Sequence, residues 1–166
     1  MAEQVPDLSL VRRLKAKGRY EEAERQLAVW LEGDPDSPRL RFEMASVLDN
    51  QGREQDAIPY YEAALAGDLD PAHRVDALLG LGSSLRVVGR THDSHRVMAG
   101  ALEEFPHHLG LKVFYALTLE QMGNFGEAIS LLLDIITESG KAESLDAYRA
   151  GLRYYRDHRH DFRPQT

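Results

Sequence analysis

His92 and His95 stand three residues apart, a spacing that puts two imidazoles on one face of a helix, where both could ligate a metal ion. A zinc site needs at least one more protein ligand. His107 and His108 lie a dozen residues on and His158 and His160 near the C-terminal end, so sequence spacing implies no three-ligand set. These histidines read as surface residues. Cysteine is absent, which excludes thiolate nucleophiles, disulfides and cysteine-ligated zinc. No Gly-rich phosphate loop follows a strand, and neither HExxH nor GxSxG occurs. The chain therefore reads as a non-enzyme with no cofactor and no metal. Its densest basic feature is the stripe Arg149, Arg153, Arg156 and Arg159. Such cations offset the negative end of a helix and cover apolar surface with their stems; a sharper use is contact with an acidic partner or a second copy.

The composition narrows the partners. Twenty Lys and Arg against 27 Asp and Glu give a net charge of −7, which repels a phosphate backbone or an anionic leaflet. Nucleic acid and membrane are not expected as partners. The N-terminal residues contain no uninterrupted apolar run of the signal-peptide kind, and no stretch approaches the roughly 18 apolar residues of a membrane span. A cytoplasmic protein is the expectation, with the 166 residues forming one domain.

Whatever positions these side chains is set by a repeat. Gly18, Gly52, Gly89 and Gly123 are separated by 34, 37 and 34 residues, and five places after each comes a small residue: Ala23, Ala57, Ser94 or Ala128. Helical apolar spacing flanks every one of these glycines, as with Leu40, Met44, Val47 and Leu48 before Gly52 and Ala57, Ile58, Tyr61, Ala64 and Leu65 after it. Period-2 alternation is missing. The reading is eight helices in four pairs, with each glycine closing a first helix in the left-handed conformation and each small residue marking a close helix crossing. Self-similarity at this period marks stacked units, none of which buries its apolar face alone.

At these residues the chain resembles the tetratricopeptide repeat family. Aligned on the glycines, the family's small first-helix position falls on Val11, Ala45, Gly82 and Ala116, its second-helix alanine on Ala23, Ala57, Ser94 and Ala128, and its terminal proline on Pro35 and Pro106. The bulky partner of that alanine falls on Leu27, Tyr61, Met98 and Leu132. Val11 and Trp30 depart from the pattern by being large, which suggests looser packing or a changed angle in the first repeat. The resemblance implies an all-α, right-handed α-solenoid with repeats at about 4–37, 38–71, 72–108 and 109–140. A capping helix is expected at about 141–160, where Leu145, Tyr148, Leu152 and Tyr155 share one stripe.

The resemblance also implies a site. First helices of the family line a concave groove, and the positions that project there are Arg12, Lys15, Arg39, Phe42, Ser46, Asp49, Leu79, Ser83, Arg86, Val113, Leu117 and Glu120. Four of the twelve are basic and two acidic, a groove of positive tendency on an acidic protein. The Lys, Asn and Arg clamp by which some members hold chaperone C-termini falls here on Leu8, Arg12, Glu43, Asp76 and Gly80, so it is missing. The expected function is a non-catalytic adaptor or scaffold that binds a protein or peptide segment in the groove. The alternative is a self-association module forming a homo-oligomer through the capping-helix end.

Overall fold

The computed structural model describes residues 6–138, all of whose regular structure is helical. The capping helix expected at 141–160 and the arginine stripe lie outside the described residues. Eight helices follow in chain order: α1 (Leu8–Ala16), α2 (Tyr20–Gly33), α3 (Pro38–Asn50), α4 (Glu54–Leu65), α5 (Pro71–Val87), α6 (Thr91–Glu104), α7 (Leu109–Gln121) and α8 (Phe125–Glu138).

Local chemistry writes the pairing. Gly18, Gly52, Gly89 and Gly123 have φ between 68° and 82°, and they alone have positive φ among the described residues. At each, the next residue's N–H reaches back five residues, as in Arg19 to the Leu14 carbonyl at 2.9 Å and Asn124 to that of Leu119 at 2.8 Å. The glycine N–H binds the carbonyl three residues earlier, which completes a Schellman closure. Starts differ between the members of a pair. First helices carry side-chain caps: Asp7, Ser37, Asp70 and His108 each accept a backbone N–H, with Pro38 and Pro71 at the first turn of α3 and α5. The second helices α2 and α4 begin without one, and acids in their first turn face the positive helix end.

Two compact units divide inside α6, Met1–Val97 and Met98–Thr166. In the first, α1 packs on α2, α2 on α3, α3 on α4 and α4 on α5, around a core that includes Val11, Leu27, Ala45, Val47, Ala57 and Leu85. Ala23 and Ala57 have no exposed surface, so the crossings leave room for a methyl group and little more. Ser94 takes the same place in α6, and its buried hydroxyl donates to the Gly82 carbonyl of α5 at 2.7 Å. Val11 and Trp30 are both buried, with the indole N–H of Trp30 lacking an acceptor. In the second unit α7 packs on α8, and Leu111, Leu119, Ala116 and Ala128 are buried.

Candidate functional site

Along α3, residues 39, 43, 46 and 49 share one face, while Met44 and Leu48 look the other way. The first face borders a cleft of about 390 Å³ between α1, α3 and α5. Seven of the twelve groove positions line it: Arg12, Lys15, Arg39, Phe42, Ser46, Asp49 and Leu79. Ser83 and Arg86 lie farther along α5 and do not line the cleft; the Nε of Arg86 is buried without a hydrogen-bond partner. Val113, Leu117 and Glu120 belong to α7 in the second unit, where all three are exposed.

Five further residues complete the lining, namely Glu43, Tyr61, His73, Asp76 and Gly80. They alter its electrostatics. Three cations, Arg12, Lys15 and Arg39, meet three carboxylates, Glu43, Asp49 and Asp76, so the positive tendency of the sequence reading is balanced within this cleft. Glu43 is the hub, its side chain only 10% exposed. Arg39 Nη2 donates to its Oε1 at 2.7 Å and Lys15 Nζ to its Oε2 at 3.3 Å, while Lys15 also reaches Ser46 Oγ at 2.8 Å. Arg39 Nη1 contacts His73 Nε2, and His73 Nδ1 contacts Asp70.

Aromatic faces supply the floor. Phe42 lies under the Arg39 guanidinium at 5.7 Å and meets the His73 ring edge-on at 5.6 Å. Tyr61 donates its hydroxyl to Asp49 Oδ2 at 3.2 Å, and the Ser84 hydroxyl reaches Oδ1 at 3.4 Å. Burial raises the Asp49 carboxyl above its ordinary value, with Glu54 adding to the effect, against the two hydroxyl donors. Burial likewise raises the Tyr61 phenol, helped by the charge of Asp49. The Tyr61 ring comes so close to α5 that a Cβ at Gly80 would sit 2.4 Å from its Cζ. Sequence spacing contains two traces of this network, the four-residue step from Arg39 to Glu43 and the three-residue step from Asp70 to His73. The pairs joining first helices are 28 to 35 residues apart and carry no local signal.

A second cleft, of about 460 Å³, lies on the opposite face of α3 between α2 and α4, with Met44, Leu48, Ala28 and Pro59 in its lining. Arg53 lines it and bridges Glu24 and Asp56 at 2.9 Å. Among the described residues no three His, Asp or Glu side chains converge as a metal site, and no helix is long and apolar enough to cross a membrane.

Helix pairs closed by a left-handed glycine, with first helices bordering a cleft, define an all-α helical-repeat solenoid of the protein-interaction kind. Residues 38–158 match the family model described as tetratrico peptide repeat, and the chain belongs to that family. Superkiller protein 3 of Saccharomyces cerevisiae is 30% identical over 91 residues, which span 55% of this chain but only 6% of the yeast protein. Among solved structures, YrrB, described as a TPR protein with an unusual peptide-binding site, superposes with a TM-score of 0.67 at 20% identity, over 82% of this chain and 70% of its own. MamA from Desulfovibrio magneticus RS-1 gives 0.65 at 18%, over 95% and 94%. At these identities the structural likeness carries the fold.

Proposed function

We propose that the protein is a non-catalytic adaptor that binds a segment of another protein in the α1–α3–α5 cleft. The convergence of seven first-helix residues on one open cleft supports the reading, since an apolar floor of Phe42 and Leu79 inside a charged rim suits an extended chain. Among solved neighbours YrrB is described by a peptide-binding site, which fits this use of the fold. The cytoplasm is the compartment that a cysteine-free chain with a net charge of −7 suits. A photo-crosslinking amino acid at Leu79 tests the proposal in the native cell. Crosslinking of a polypeptide from Leu79, and not from an identical probe at the exposed Arg25 of α2, is the expected result. Equal or no crosslinking from the two positions argues against it.

A second reading rests on a different surface. Phe125, Ile129, Leu132 and Ile136 of α8 are 36–58% exposed, at 4-3-4 spacing that matches the seam of a helix pair. Self-association through this end of the chain is the alternative function, and the capping-helix segment at 141–160, which the sequence reading assigned to it, lies outside the described residues. Light scattering at high micromolar concentration decides it: a monomer removes this alternative.

A further inference from the structure

The registers between first helices place two unpaired opposite charges at the ends of one path across the cleft. Lys15 bonds to Glu43 and Ser46, so residue 15 of α1 lies beside residues 43–46 of α3. Arg39 meets His73, and Asp49 meets Ser84, so residue 42 of α3 lies beside about residue 76 of α5. Counting back three residues from Lys15 brings Arg12 to the same level. Arg12 and Asp76 therefore face the cleft from its two sides, with Phe42 between them, and both are exposed. Neither has a hydrogen-bond or ion-pair partner among the described residues. The charges between them are already engaged, since Lys15 and Arg39 share Glu43. Arg86 is ten residues farther along α5, about 15 Å off this path.

Resting on the adaptor reading, we infer that the cleft selects a dipolar segment: one acidic side chain over Arg12, one basic side chain over Asp76, and apolar side chains between them on Phe42 and Leu79. Two neighbouring interhelical spacings of roughly 9 Å make the span about 18 Å. An extended chain covers that in about six residues, and only alternate side chains face the cleft. The recognised pattern is thus an acid and a base six residues apart with apolar residues at the second and fourth steps, read in either chain direction. Both ends are surface charges, so each matched contact changes affinity only about two- to fivefold.

Three capped heptapeptides test it, Glu-Ala-Leu-Ala-Leu-Ala-Lys and its analogues with Glu at both ends or Lys at both ends. Titration is followed by NMR shifts of Leu79 and Phe42 at about 0.15 M salt, where the field of distant charges is screened beyond roughly 8 Å. The mixed peptide is expected to bind about three- to fivefold tighter than either analogue. Arg12→Glu should move the preference to the Lys-Lys peptide and Asp76→Lys to the Glu-Glu peptide, while Arg12→Gln and Asp76→Asn should each level the discrimination at one end. If all three peptides shift Leu79 and Phe42 with equal affinity, or the variants leave the order unchanged, the dipolar rule is wrong and the cleft stands as a binding site. If no peptide shifts them at all, both this rule and the adaptor reading are overturned.

Discussion

Gly52 and Gly80 are required for opposite reasons, and each reason predicts a different loss. At Gly52 a Cβ would meet nothing within 4 Å, so the requirement is the backbone φ of +71° alone. Gly52→Ala should cost about 1 kcal/mol in denaturant unfolding, with Gly52→Asn costing less because asparagine tolerates the left-handed region. At Gly80 the obstacle is the Tyr61 ring, and Tyr61 is only 3% exposed. Gly80→Ala should cost roughly 1–3 kcal/mol by overpacking and should displace the phenol from Asp49, visible as a change in tyrosine fluorescence. Asp49 itself carries a pH prediction. Its carboxyl is raised in the fold, so its contribution to stability is present below the unfolded pKa and is lost as pH rises through the folded one. Asp49→Asn keeps an acceptor for Tyr61 and removes the charge. The variant should therefore gain on the parent as pH climbs through and just above the carboxylate range, in paired thermal melts; a constant difference would contradict the burial argument. The carboxylates of Asp7, Glu22, Glu24, Asp70 and Asp93 are lowered by their partners and act in the opposite direction, but they are common to both proteins.

Helix pairs meet at positions that hold a methyl or a hydroxyl and nothing larger. Ala57 is fully buried where α4 crosses α3, so Ala57→Leu should destabilise by roughly 1–3 kcal/mol, while the same change at the exposed Ala28 should stay within about 0.5 kcal/mol. Equal effects would mean that the crossing is not the tight point. This much is legible in the linear chain, because a closing glycine and a small residue five places on are both local requirements of one helix pair. The network around Glu43 is not. Its partners come from α1 and α3, and the register that brings Lys15 to Glu43 and Arg39 to His73 belongs to neighbouring pairs. Apolar periodicity says which face is buried and is silent about which charges meet across it.

Across the molecule, equivalent positions of the repeat have unequal fates. Leu27, Tyr61 and Met98 occupy the bulky second-helix position and are at most 3% exposed, yet Leu132, their counterpart in α8, is 42% exposed. No repeat follows α8 among the described residues, so burial at this position depends on what stacks next. If copies of the chain associate through this face, Leu132→Glu should abolish the association in light scattering, at little cost in helical circular dichroism. Retention of the oligomer would place the contact elsewhere. The recurring glycines and small residues by themselves determined that the described residues make eight helices in pairs, because each signal acts within about a dozen residues through backbone conformation and close packing. Only the tertiary structure decided that Glu43 neutralises the middle of the cleft, that Arg12 and Asp76 are left facing it, and that Phe125, Ile129 and Leu132 on one face of α8 are partly exposed. Those outcomes depend on distances between residues far apart in the chain, and Coulomb attraction and burial act through space.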